Sequence, residues 1–462
     1  MADRSFIAAV SVAVFAAVFA AQAEILVDSA VELGSVKPMN AVNNGPKVAG
    51  ASQTAGNDAL YAAAKIPFAR THDANFCSSY GAPHTVDITA VFPDFSKDEN
   101  DPASYDFAMS DNYLRQIREA GTEPFYRLGQ SIEHGVKKYG VLPPKDFAKW
   151  ARICEHVIRH YNEGWADGFK WNVRYWEIWN EPDLDVNCWK TNPRCWGGSE
   201  ELFREFFRAA APHLKKCFPD LKIGGPALAG DEAWGDRFLA NMSTNSVPLD
   251  FFSWHIYART PEEIAKKALR IRKTMDRHGY GKAESILNEW NYVKGWSKEF
   301  VYSMNVIRGG KGAAFTAATM IVCQSCPVDM LMYYDARPRT GFNGLFEQNT
   351  YEPLKGYYPF YAWSKLAALG TQVKTSGTDR DVYAAAAKNK DGKLGILVCR
   401  YSDDDNVCGV EKIGVRLASG SLEGAECHLT DESRLFTEYP FAVKDGALEL
   451  LLEPNAFVLI EK

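Results

Sequence analysis

From residue 37 to about 370 the chain alternates short β-rich runs with helix-periodic stretches, and this alternation restricts its fold more than any other feature. Strands that alternate with helices build a parallel sheet covered by those helices. Eight β-rich runs are present: Pro38–Asn43, Ile66–Thr71, Glu123–Leu128, Tyr175–Trp179, Lys222–Gly225, Phe251–His255, Glu284–Asn288 and Leu331–Tyr334. Eight such units predict an α/β fold, a closed (β/α)8 TIM barrel rather than an open sheet.

The clearest covering helix lies between the third and fourth runs. There Phe147, Trp150, Ile153, Cys154, Val157, Ile158 and Tyr161 share one face at 3.6-residue spacing, a stripe that reads as core. A last helix, Tyr357–Leu369, stops at Gly370, which can take the left-handed conformation that ends helices. Beyond it the period falls to two, in Leu394–Tyr401, Leu448–Leu452 and Phe457–Ile460, with Asp391-Gly392 marking a hairpin turn. The expected organisation is a barrel over 37–370 and a smaller C-terminal β-sandwich over 371–462. The strand-like segment 24–36 is expected to add a strand to that sandwich. No Pro-, Gly- or Ser-rich linker and no solenoid repeat is evident.

A chain of 462 residues has room for this large domain and its companion. Its net charge of -6 comes from interspersed acids and bases, with no basic run long enough to follow a phosphate backbone, so nucleic acid is not an expected partner. Residues 1–23 carry Arg4, an apolar run from Phe6 to Ala20, and Ala21-Gln22-Ala23, the small-x-small form read by signal peptidase before Glu24. They read as a cleaved signal peptide, with an uncleaved anchor as the alternative. The run is short for a membrane span and no second one follows, so the cleaved product is expected to be secreted or periplasmic.

Ten cysteines in an exported chain make disulfides possible. Two pairs lie close in sequence, Cys188 with Cys195 and Cys399 with Cys408, and the first is the better candidate for a loop staple. Cys323-Gln324-Ser325-Cys326 has the spacing of a redox or zinc half-site, but no matching second pair accompanies it, and two thiols at a helix end are the expected reading.

Side chains that follow the strands of such a barrel meet at its C-terminal mouth. Acidic and aromatic residues cluster there: Asn180-Glu181-Pro182 after the fourth run and Asn288-Glu289-Trp290 at the end of the seventh. Two carboxyl groups on separate strands can face each other across a cleft. Glycosidic cleavage requires such a pair, one to protonate the leaving oxygen and one to attack the anomeric carbon or activate water. An aromatic content of 13%, with 12 Trp, suits a protein that stacks rings on sugars, although most aromatics in any domain are core.

The run Tyr175-Trp176-Glu177-Ile178-Trp179-Asn180-Glu181-Pro182 resembles the fourth-strand motif of the clan A glycoside hydrolases, and within the clan the chain is most similar to family 39, which includes β-xylosidases and α-L-iduronidases. Phe68-Ala69-Arg70-Thr71-His72, Phe251-Phe252-Ser253-Trp254-His255-Ile256-Tyr257 and Leu287-Asn288-Glu289-Trp290 carry the same resemblance on the second, sixth and seventh strands. So does the path from Tyr105-Asp106-Phe107 into Gly121-Thr122-Glu123-Pro124-Phe125. The similarity spans the barrel; the sandwich matches only in general character.

The resemblance implies a retaining glycoside hydrolase with Glu181 as acid/base and Glu289 as nucleophile. Glu181 would keep its proton through a poorly hydrated cleft and the nearby charge of Glu289. Asn180 would bond the sugar 2-hydroxyl, and Arg70 would keep Glu289 ionised. His72, His255 and Tyr257 would line the pocket, and Trp290 would form an apolar wall. The same residues admit structural readings: hydrogen-bonded supports for His72 and His255, an ion pair with Asp73 for Arg70, packing for Trp290 and Trp254. Asn288 stands where family members often have Thr. The loop from Asp183 to Trp196 is expected to shape the aglycone side.

After the eighth run, Arg337 is expected to pair with Asp335 rather than bind a uronate carboxylate. Gly309-Gly310-Lys311-Gly312 lacks the spacing of a phosphate-binding loop, no His-Glu-x-x-His is present, and no metal or cofactor is implied. The implied substrate is a poly- or oligosaccharide cleaved at a terminal bond, in β-xylosidase-like fashion. An endo-acting clan A glycanase and a non-catalytic carbohydrate-binding barrel are the alternatives.

Overall fold

The computed structural model describes residues 23–50, 55–74, 84–378 and 380–462. The expected leader lies outside them apart from Ala23, which opens the first strand, β1 (Ala23–Ser35). The next eight strands, β2 (Ala41–Asn43), β3 (Phe68–Arg70), β4 (Glu123–Leu128), β5 (Tyr175–Ile178), β6 (Lys222–Leu228), β7 (Phe251–Ala258), β8 (Glu284–Tyr292) and β9 (Met330–Tyr333), form a closed barrel in chain order. All pair in parallel, and β9 returns to β2 through Ala41↔Met332 and Val42↔Tyr333. The (β/α)8 fold expected from the alternation is thus present.

The apolar stripe of the third unit forms the helix Phe147–Asn162, started by Asp146, whose carboxylate accepts from the Lys149 amide, with Trp150, Ile153, Cys154, Val157, Ile158 and Tyr161 buried. The final covering helix runs Tyr358–Leu369 and ends at Gly370, whose φ of 89° an L side chain rarely adopts.

The remaining strands are β10 (Thr371–Ser376), β11 (Val382–Lys388), β12 (Leu394–Arg400), β13 (Glu411–Leu417), β14 (Glu426–Thr430), β15 (Thr437–Glu438), β16 (Ala442–Lys444), β17 (Ala447–Leu452) and β18 (Ala456–Glu461). With β1 they make one ten-stranded sheet, β1 lying antiparallel to β10 and parallel to β13. One face curls around an apolar cluster that includes Ile25, Ile396, Val398, Val415, Leu450 and Ile460. Alternate residues Leu397, Cys399, Phe457 and Leu459 join the barrel's own core, so β12 is buried on both faces and reads as a continuous apolar run.

Inside the barrel, side chains stack in tiers. Ala41, Phe68, Phe125, Tyr175, Phe251, Ile286, Met330 and Met332 form an apolar floor. Two residues further along the same strands stand Asn43, Arg70, Arg127, Glu177, Ser253 and Asn288, all completely buried. Period two makes this second tier face inward as well. Its charges require internal partners, because burying an unpaired ion costs several kcal/mol.

Candidate active site

Glu177 accepts from Arg70 Nε at 2.6 Å, Ser253 Oγ at 2.6 Å and Asn288 Nδ2 at 2.5 Å. Arg70 spends its other donors upward: Nη1 on Asn43 Oδ1 (3.1 Å) and Glu289 Oε1 (2.8 Å), Nη2 on Asn180 Oδ1 (2.6 Å). The planar guanidinium therefore joins the buried tier to the mouth and fixes two side chains there. Of the alternatives open for Arg70, the structure shows the pair with Glu289 and not one with Asp73.

Both strands that deliver the carboxyl groups leave regular geometry at that point. On β5, Tyr175 and Glu177 face inward, and simple alternation would point Trp179 inward too. Trp179 instead has φ 74°, donates from its indole to Cys195 O, and packs outward on Trp150, Trp196 and Phe206. Glu181, at φ 48°, then lies at the mouth with its amide bonded to Ala227 O. On β8 the pairing with β7 runs Trp254↔Leu287 and then His255↔Glu289. Asn288 is an extra residue, and the pairing with β9 shows the same step, Leu287↔Leu331 and then Trp290↔Tyr333. This bulge lets Asn288 and Glu289 both face the barrel axis.

The bulge also decides Trp290. Its side chain is fully buried against Phe315 of the covering helix Gly310–Gln324 and against Tyr333, away from the mouth. Trp290 is therefore packing, and the apolar wall expected of it is supplied by others. Trp296, in the loop after β8, is 61% exposed and lies edge-on to Tyr257 with ring centroids 5.1 Å apart. Phe342 and Tyr334, from the loop after β9, complete that side.

A cavity of about 790 Å³ opens at the mouth, lined by Glu181, Glu289, His72, Asp73, Tyr257 and Trp296 among others. Arg70, Asn180 and His255 lie just beneath this lining, each at most 1% exposed. A carboxyl oxygen of Glu181, one of Glu289 and a ring nitrogen of His255 lie within 4.8 Å of one another. His255 Nδ1 is 2.8 Å from Glu181 Oε1 and 3.5 Å from Glu289 Oε2, and Tyr257 donates its hydroxyl to Glu289 Oε2 at 3.0 Å. His72 Nε2 lies 3.8 Å from Glu289 Oε1 and 3.5 Å from Asp73 Oδ2. The His255 carbonyl accepts from Lys267 Nζ at 2.8 Å. Among the described residues, Glu181, His255 and Glu289 are the set in the mouth that could ligate a cation, but Arg70 already places a permanent positive charge on Glu289.

Burial raises the proton affinity of both carboxyl groups, and their neighbours then separate them. Glu181 is pushed up to about 8, first by burial and then by the charge of Asp183, whose own carboxylate is held by the amides of Ala229, Gly230 and Asp231. Burial raises Glu289 only to about 6, because the permanent charge of Arg70 beside it opposes the rise. The repulsion between Glu181 and Glu289 that the resemblance implies is present, and Asp183 adds a second charge that helps Glu181 keep its proton. His255 falls to about 4, chiefly through burial, and is neutral beside them. Near neutral pH one carboxyl holds a proton and the other does not, the division of roles that an acid and a nucleophile need.

The expected Cys188–Cys195 staple is absent. Cys188 Sγ donates weakly to Asp185 Oδ1 and Asn192 O, while Cys195 turns its thiol toward Glu181 Oε2 at 3.9 Å. Asp185 holds this loop instead, accepting from the amides of Arg194, Cys195 and Trp196. Cys399 and Cys408 are also free thiols, as are Cys323 and Cys326 at the end of the helix Gly310–Gln324. Arg337 donates to Asp335 Oδ2 at 2.8 Å and to the Asp73 carbonyl, the pairing expected of it.

A (β/α)8 barrel with glutamates at the ends of its fourth and seventh strands is the architecture of the clan A glycoside hydrolases. The sequence matches the profile of Glycosyl hydrolases family 39 over residues 80–322, just over half of the chain, and the protein belongs to that family. It is 31% identical over 172 residues to a β-xylosidase of Caldicellulosiruptor saccharolyticus, covering 35% of this chain and 32% of that one. It is 32% identical over 164 residues to a β-xylosidase of Geobacillus stearothermophilus, covering 33% and 31%. The chain thus spans about a third of the length of the curated relatives it matches. Among solved structures, a glucosidase from Croceicoccus marinus superposes with TM-score 0.76 at 22% identity, over 95% of this chain and 98% of that one. A monomeric β-xylosidase from Caulobacter crescentus superposes with TM-score 0.67 at 16% identity, over 95% and 99%. At these identities the two structures speak for the fold.

Proposed function

We propose that this protein is a retaining, exo-acting glycoside hydrolase with β-xylosidase-like specificity, in which Glu289 attacks the anomeric carbon and Glu181 is the acid/base. One observation carries the reading: two buried carboxyl groups approach within 4.8 Å, one biased toward its acid form and the other toward its base form. Retaining enzymes hold their carboxyl groups about 5–5.5 Å apart, whereas inverting ones leave about 6.5–9.5 Å for a water.

In the first step a Glu289 oxygen bonds to the anomeric carbon as the glycosidic bond breaks, and Glu181 passes its proton to the departing oxygen. In the second, Glu181, now ionised, takes a proton from water as that water displaces Glu289. Arg70 and Tyr257 hold Glu289 in position, and the unpartnered Nδ2 of Asn180 is the group offered to the sugar 2-hydroxyl. Arg70 occupies the Oδ1 of the same amide and so fixes which way it points. The names of the two curated relatives favour xylosides, and the leader of residues 1–23 supports export to the periplasm or medium.

The test is a panel of aryl β-xylosides, glucosides, galactosides, arabinosides and uronides with the wild type and Glu289→Ala. The variant should lose turnover, and azide should restore it with inverted product. Undiminished activity in Glu289→Ala refutes the assignment.

A further inference from the structure

A second cluster of ligating groups lies on the outer wall of the barrel, between two of its covering helices. Phe147–Asn162 presents Glu155, and the neighbouring helix Glu200–Cys217 presents His213 and Cys217, one turn apart on one face. One oxygen, one ring nitrogen and one sulfur from these residues lie within 4.8 Å of one another, and all three residues are half-buried. His213 Nε2 is 2.7 Å from Glu155 Oε2 and 3.9 Å from Cys217 Sγ. Arg159 takes the other carboxylate oxygen, Oε1, from Nε at 2.9 Å and Nη2 at 2.7 Å. One oxygen is thereby anchored and the other aimed at the imidazole, the way outer partners orient a ligating carboxylate.

We propose that Glu155, His213 and Cys217 form a site for a divalent cation of the zinc type, which clips these two helices together. A set of nitrogen, thiolate and one oxygen suits such an ion, whereas magnesium and calcium take oxygen ligands. Zinc sits about 2.0–2.1 Å from nitrogen, about 2.3 Å from sulfur and about 2.0–2.2 Å from oxygen, so in a tetrahedron its nitrogen and oxygen ligands stand roughly 3.3 Å apart. His213 and Glu155 need to separate by only roughly 0.6 Å, within reach of side-chain rotation. The ion takes the place of the thiol proton, which leaves to solvent, and of the His213–Glu155 hydrogen bond. Water fills the fourth position. Arg159 weakens the site by its charge while fixing its geometry.

The catalytic mouth gathers a comparable set in Glu181, His255 and Glu289 with Cys195 beside it, so the experiment has to separate the two. Cobalt(II) is titrated into the full-length protein as the probe. The expected result is a near-ultraviolet thiolate-to-cobalt charge-transfer band that saturates at one equivalent and is displaced by zinc. It should vanish in Cys217→Ser and His213→Ala and persist in Cys195→Ser and Glu181→Gln, with unfolding of metal-free Cys217→Ser confirming an intact fold. Absence of the band, its survival in Cys217→Ser, or its loss in Cys195→Ser overturns the proposal.

Discussion

Arg70 donates from Nη1 to Glu289 Oε1 at 2.8 Å, in a place where the arginine side chain is fully buried and the glutamate is 6% exposed. The same guanidinium neutralises Glu177 beneath it, so two buried carboxylates depend on one cation. Replacing Arg70 by Met should leave both uncompensated and destabilise the fold by about 3–5 kcal/mol. Denaturant unfolding measures this, and a loss within the scatter of surface substitutions refutes the coupling.

Activity should trace a bell against pH. Glu289 must be ionised to attack, so turnover should fall below about 6; Glu181 must hold its proton to protonate the leaving group, so it should fall again above about 8. With an activated aryl leaving group, Glu181→Gln should lose the alkaline limb and keep the acid one. Asp183→Asn removes a negative charge near Glu181, which eases ionisation of that carboxyl and should move the alkaline limb to lower pH. A limb that stays fixed in Asp183→Asn argues against this electrostatic role.

Tyr257→Phe deletes one hydrogen bond to Glu289 while keeping the ring against Trp296. A hydrogen bond to a charged group contributes about 1.5–3 kcal/mol, so kcat/KM should fall about 10- to 100-fold with the melting temperature nearly unchanged. Unaltered kinetics exclude Tyr257 from the reaction.

Trp296→Ala removes an exposed ring from the cavity rim. Aromatic contacts contribute about 0.5–1.5 kcal/mol, so KM should rise up to roughly tenfold with little change in kcat or stability. A fall in kcat alone would place Trp296 in the chemistry instead of in binding.

Much of this was legible in the sequence because barrel architecture is written in periods. Each of the eight β-rich runs contains or overlaps a barrel strand, and the stripe from Trp150 to Tyr161 is buried as its spacing requires. The strand-end rule also places Glu181 and Glu289 at one mouth. What escaped depends on geometry that breaks the period or on partners distant in sequence. Glu177 stands inside the quoted fourth-strand motif, but only the tier it shares with Arg70, Ser253 and Asn288 gives it a role. Trp296 and Phe342 sit in loops after different strands, where spacing is silent. Cys188 and Cys195 are near in sequence, yet Asp185 closes that loop with backbone amides and the thiols diverge.

Trp290 failed as a wall for a countable reason. With Ile286 and Asn288 facing inward, unbroken alternation would show the indole to the mouth and hide the carboxylate among the helices. The added residue at Asn288 exchanges them. The site consequently rests on the bulge itself: if the strand ran through Asn288 without it, the glutamate would stay in the sequence and tryptophan would face the mouth, whereas loss of Asn288 would restore regular alternation with Glu289 still facing the axis. At this strand the extra residue gives the barrel two inward side chains in succession, one to bond Glu177 beneath and one to face the mouth.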